Sequence, residues 1–117
     1  MAFIKLNGLD QVDFTDVAGS ADALQSDPGA IRIIALTKCA YCHHAMKRLE
    51  ERGIAYSYTY LDKLPQDVRG VFLRALKNHV LPASLLFPIL LTDNEVFIAG
   101  YNADVWAEVG VDTREQA

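Results

Sequence analysis

The segment Cys39-Ala40-Tyr41-Cys42 holds the only two cysteines of the chain. It follows the apolar run IRIIAL at residues 31–36, which reads as a buried strand. It opens a stretch in which Cys42, Ala45, Met46 and Leu49 recur at helical spacing, with Lys47, Arg48, Glu50 and Glu51 pointing elsewhere and Gly53 placed to end the helix. Two thiols one helical turn apart, at a strand-to-helix junction, constrain the fold more than any other feature. Backbone N–H groups at a helix N-terminus carry partial positive charge, so a thiolate at Cys39 is favoured and its pKa falls.

The rest of the pattern builds around that junction. Residues 55–61 alternate, with Tyr56, Tyr58 and Tyr60 on one face, and read as a strand. A strand–helix–strand unit over residues 31–61 requires a right-handed crossover and parallel pairing. Pro65 suits the first turn of another helix, with Val68, Val71, Phe72, Ala75 and Leu76 as its apolar stripe. Pro82 closes any continuation. Residues 89–92 and 95–98 read as a hairpin around Asp93-Asn94. Asn102 is placed to cap a last helix carrying Val105, Trp106 and Val109, and the polar tail after Gly110 is expected to fray. Ahead of residue 31, a short strand over residues 2–6 is expected. A helix bearing Phe14, Val17, Ala21 and Leu24 would follow it, capped by Thr15 or Asp16. The order is β-α-β-α-β-α-β-β-α, with a mixed sheet of four to five strands and helices on both faces.

At 117 residues one domain is expected, with a core over residues 31–110 and an N-terminal βα extension over residues 1–30. A net charge of −4 supplies no basic footprint for nucleic acid. The first ten residues have neither a basic region nor a long apolar run, so no signal peptide is expected. The longest uncharged stretch, residues 80–92, is too short to span a bilayer and contains Pro82 and Pro88. A cytoplasmic location is the expectation. In a reducing compartment a lone cysteine pair is redox-active or metal-binding more often than structural.

Three readings of the pair differ in chemistry. In thiol–disulfide exchange Cys39 attacks and the more buried Cys42 resolves. Cys39, Cys42 and His43 also match the Cys-x-x-Cys-His pattern of c-type haem attachment, which would make the chain an electron carrier. Cys39, Cys42, His43 and His44 could ligate zinc, although structural sites draw ligands from a second pair and His79 stands alone. A non-catalytic binding module is the remaining alternative.

With these elements in place, the chain resembles the glutaredoxin family of the thioredoxin fold over roughly residues 31–109. Cys39-Ala40-Tyr41-Cys42 stands where that family has Cys-Pro-Tyr-Cys. Phe87-Pro88, directly before a strand, stands where it has Val-Pro with a cis proline. The stretch Ile98-Ala99-Gly100-Tyr101-Asn102-Ala103-Asp104 stands where it has a glycine turn into the last helix. The Ala99-Gly100-Tyr101 turn is more similar to the Ser-Gly-Phe of the glutaredoxin-like redoxins that serve ribonucleotide reductase.

The resemblance implies an α/β thioredoxin-like fold and reduction of disulfides in proteins or small thiol conjugates. Cys39 and Cys42 would be catalytic. Lys38, Tyr41, Phe87, Pro88, Gly100, Tyr101, Asn102 and Asp104 would bind substrate or glutathione. The family implies no required cofactor and no metal for exchange itself, with glutathione as co-substrate. Some members bridge an iron–sulfur cluster between two chains, with which this sequence is compatible. The expected reductant is glutathione or a thioredoxin-reductase-type flavoenzyme. The expected state is a monomer away from nucleic acid and membrane.

Overall fold

A computed structural model describes residues 5–20, 27–79 and 85–113. Its frame is a five-stranded sheet with residues 15–17, 56–60, 31–35, 89–92 and 97–99 side by side in that order. The strands are β1 (Thr15–Val17), β2 (Ile31–Ala35), β3 (Tyr56–Tyr60), β4 (Ile89–Thr92) and β5 (Phe97–Ala99). The helices are α1 (Ala40–Glu51), α2 (Gln66–His79) and α3 (Ala103–Glu108). β2 and β3 run parallel, in register from Arg32 opposite Ser57 to Ala35 opposite Tyr60. The other pairs are antiparallel.

The central strands are apolar on both faces because both faces are covered. Ile33 and Leu90 join Cys42, Ala45, Met46, Leu49 and Trp106 in a core on the α1 and α3 side. Ile34, Ile89 and Leu91 join Phe72 and Leu76 in a second core on the α2 side. The alternation of β2 and β4 therefore feeds two layers at once. α1 buries the four residues its periodicity marks, Cys42, Ala45, Met46 and Leu49. It stops where Gly53 takes a φ of 68°, a left-handed conformation that costs a side-chain-bearing residue most. The tyrosine row of β3 is a packing surface: Tyr58 and Tyr60 meet edge to face at 5.3 Å, and the Tyr56 hydroxyl donates to Glu50 at 3.2 Å. Burial first, then the Glu50 carboxylate, pushes the Tyr56 phenol well above its ordinary pKa.

The N-terminal region departs from the expectation. Residues 15–17 form an edge strand, antiparallel to β3, where a helix start was expected. Three residues on β3's open edge satisfy a row of backbone groups that a helix would leave unpaired. Lys5 and Leu6 are not in a strand, and a 3-10 turn at Leu9–Gln11 follows them. The rest of the expected first strand and of that helix lies outside the described residues. Three smaller corrections follow. Over residues 111–113 the tail after Gly110 does not fray, because Val111 and Thr113 are buried and Asp112 pairs with Arg52 at 2.9 Å. β5 begins at Phe97 rather than at residue 95, because Glu95 has a φ of 64° and belongs to the hairpin turn. Val71 on α2 stays 45% exposed, and Leu73 packs against the second core instead. Among the described residues no helix is long and apolar enough to cross a membrane.

Candidate active site

The C-terminal end of β2 leads into a tight turn over residues 36–39, closed by the Cys39 N–H donating to the Leu36 carbonyl at 3.3 Å. Cys39 is the N-cap of α1, and its Sγ lies 3.2 Å from the donating N–H of Cys42. An N-cap acceptor satisfies one of the backbone donors that a helix start leaves open. Here the acceptor is sulfur, so the amide that completes the helix also stabilises charge on the thiol. The two cysteines are joined as a disulfide, with their Cα atoms 5.2 Å apart. Cys39 is half-buried and Cys42 fully buried, so Cys39 is the sulfur a guest meets first.

Facing this pair is the peptide before β4. The Phe87-Pro88 bond is cis, as the resemblance implied, and the Phe87 carbonyl lies 3.8 Å from Cys39 Sγ. A groove of about 490 Å3 opens beside it. Five of the residues expected to bind substrate line this groove: Tyr41, Phe87, Gly100, Tyr101 and Asn102. Leu86, Ile98, Ala99 and Val105 complete its wall, and the reading of the sequence missed all four as site residues. Ile98 and Val105 were legible as the apolar positions of β5 and α3; Leu86 carried no pattern. Tyr41 and Leu86 are 71% and 58% exposed and form an apolar rim.

Cys39, Cys42, Lys38, Pro88 and Asp104 are not among the groove's lining residues. Lys38 is exposed on the turn before Cys39. Pro88 is buried beneath, and its carbonyl accepts from the Gly100 N–H at 2.9 Å. Asp104 sits in the first turn of α3, where a carboxylate complements the helix dipole. A helix start leaves its first backbone N–H groups open to an acceptor. Asn102 already takes two of them, accepting from Asp104 N–H at 3.0 Å and Val105 N–H at 3.2 Å.

The groove wall is rigidly backed. Gly100 turns at a φ of 91°, and a Cβ there would lie 3.3 Å from that of Leu86. The indole N–H of Trp106 donates to the Gly100 carbonyl at 3.2 Å. Tyr101 stands edge-on to Trp106, with ring centroids 5.0 Å apart, and its hydroxyl lies 3.0 Å from Thr113 Oγ1. Among the described residues no cluster of three or more histidine, cysteine, aspartate and glutamate side chains is placed to hold a metal ion.

No protein-family model matches the chain, and no curated protein sequence does. Solved structures share its fold. It is similar to the glutaredoxin from Methanosarcina mazei Go1, with 21% identity and a TM-score of 0.62 over 83% of this chain and 87% of that one. It is similar to the methanoredoxin of Methanosarcina acetivorans, with 22% identity and a TM-score of 0.58 over 72% and 87%. It is also similar to a glutaredoxin from Archaeoglobus fulgidus, with 22% identity and a TM-score of 0.56 over 68% and 83%. The fold is the glutaredoxin-like form of the thioredoxin fold.

Proposed function

We propose that this chain is a glutaredoxin-like thiol–disulfide oxidoreductase that reduces disulfides of proteins or small thiol conjugates. The observation that carries the reading is the cysteine pair at the start of α1, with Cys39 outermost and facing the cis Phe87-Pro88 peptide, whose Phe87 also lines an apolar groove. In the reduced state Cys39 attacks one sulfur of a substrate disulfide. A bond forms between the two sulfurs, the substrate S–S bond breaks, and its second sulfur leaves as thiolate. Cys42 then gives up its proton and attacks Cys39 Sγ, releasing the first substrate sulfur and forming the Cys39–Cys42 disulfide seen here. Two electrons pass to the substrate. A dithiol reductant, or two glutathione molecules in succession, returns them.

Exchange of this kind needs no metal or organic cofactor. Tyr41, Phe87, Gly100, Tyr101 and Asn102 would contact the guest through the groove, with Lys38 beside Cys39 favouring the thiolate. We place the protein in the cytoplasm as a monomer, with glutathione or a thioredoxin-reductase-type enzyme as its partner. The c-type haem reading fits poorly, because a macrocycle bonded to both sulfurs has no space around Cys42, whose side chain is sealed in the α1 core.

The test is a paired assay on one disulfide substrate with NADPH. One arm contains glutathione and glutathione reductase, the other thioredoxin reductase. Turnover in at least one arm supports the reading and names the reductant; none in either refutes it. Cys42→Ser is expected to accumulate a mixed disulfide between Cys39 and a protein substrate, visible as a reductant-sensitive band on a gel. Failure to trap any adduct with an active substrate would contradict the two-thiol cycle.

A further inference from the structure

The turn that presents Cys39 is held from two sides by residues distant in sequence. The Thr37 N–H donates to Asp62 Oδ1 at 3.1 Å, and the Thr37 hydroxyl donates to Asp62 Oδ2. On the other side His43 Nε2 lies 2.9 Å from the Thr37 carbonyl. A carbonyl only accepts, so Nε2 carries the proton. Every polar group of Thr37 is thus engaged: amide, hydroxyl and carbonyl. The topology explains why. β2 and β3 are parallel and end level, Ala35 opposite Tyr60, so the 3-10 turn Leu61–Lys63 after β3 sets Asp62 beside the turn after β2. Tyr60 from the same strand end meets the His43 ring at 6.1 Å.

We infer that Asp62 and His43 are positioning residues of the redox turn, clamping Thr37 so that Cys39 stays seated as the N-cap of α1. The inference rests on the exchange chemistry proposed above. Asp62 and His43 both meet the turn at Thr37 and act through it. The benefit of a helix N-terminus to a thiolate falls off within the first turn, so it depends on where the turn places the sulfur. A loosened clamp moves Cys39 off the amide it caps and weakens that stabilisation. The Thr37 hydroxyl and, less strongly, its amide hold the Asp62 carboxyl below its ordinary pKa. Both carboxylate oxygens are therefore available as acceptors at neutral pH.

Position and charge predict opposite signs. Removing a carboxylate near a thiol, as charge alone, lowers the thiol pKa. Removing a clamp raises it. The experiment follows the alkylation rate of Cys39 by iodoacetamide against pH, in a Cys42→Ser background so that one thiol is read. Asp62→Ala and Thr37→Val are expected to raise the midpoint by roughly 0.5–1 pH unit, about a three- to tenfold lower rate at pH values well below the midpoint. Thr37→Ser keeps both donors and is expected at the parent value. Asp62→Asn keeps an acceptor for the amide and a donor for the hydroxyl oxygen, and is expected at the parent value or just below it. The Asp62→Ala/Thr37→Val double variant is expected to shift no further than Asp62→Ala, because the bond that Thr37→Val removes is already lost in Asp62→Ala.

Midpoints for Asp62→Ala and Thr37→Val at or below the parent's would overturn the inference, as would additive shifts. The Thr37→Ser and Thr37→Val pair differ little in size at a partly exposed site, so folding does not decide the outcome. Alkylation needs no disulfide substrate. An inactive wild-type protein would therefore refute the exchange reading, while the order of midpoints tests the clamp separately.

Discussion

Cys39→Ser is expected to reduce disulfide reduction to the uncatalysed background while the fold persists. The serine hydroxyl fits the N-cap position at least as well as sulfur, since serine is among the preferred N-cap residues. The Cys42 N–H therefore keeps an acceptor, and circular dichroism and thermal unfolding of the variant should match those of the reduced wild-type protein. What is lost is chemistry alone. A hydroxyl is not ionised at neutral pH under the influence of one helix end, and it makes no exchangeable bond to sulfur. Cys42 does not substitute, because it lies fully buried behind Cys39. Retained turnover in Cys39→Ser would contradict the role assigned to this sulfur.

Trp106→Ala carries the largest expected cost in stability, about 3–5 kcal/mol. Folded domains of this size are stable by only about 5–15 kcal/mol, so the loss is a large share of the total. The side chain is fully buried and sits in the same core as Cys42. Its indole N–H holds the Gly100 carbonyl, and its backbone carbonyl accepts from Val111 N–H at 2.9 Å. Truncation opens a cavity under the groove wall and removes the partner of the Gly100 carbonyl. Trp106→Phe keeps most of the volume and forfeits the hydrogen bond, so it should cost clearly less. Trp106 is the sole tryptophan, so denaturant midpoints are best followed by circular dichroism. A midpoint for Trp106→Ala equal to the wild type's would mean that this residue does not support the wall.

The central part of the fold was legible because its sequence signals are local. The 3.6-residue spacing of Cys42, Ala45, Met46 and Leu49, the alternation around Tyr56, Tyr58 and Tyr60, and the Asn102 cap each specify an element within one window. The N-terminal edge strand was not legible for the same reason. Thr15, Asp16 and Val17 are a strand only because β3 offers an open edge, and Phe14 and Val17 imitate helical spacing when read without that partner.

The site divides in a similar way. The cysteines, Phe87 and the Gly100 turn stood out as motifs. Leu86 joins the groove only through the approach of Gly100, and Asp62 reaches Thr37 only because two parallel strands end level. Such contacts are set by topology, which no single window contains.

On the proposed function, the Cys39–Cys42 disulfide is a working redox pair and not a staple. The most direct measurement is its reduction potential, by equilibrating the protein in defined dithiol buffers and counting reduced thiols. A pair with an accessible sulfur at a helix N-terminus is expected between about −270 and −120 mV, the range spanned by thioredoxin-fold oxidoreductases. A value below about −300 mV, typical of structural disulfides, would contradict the account.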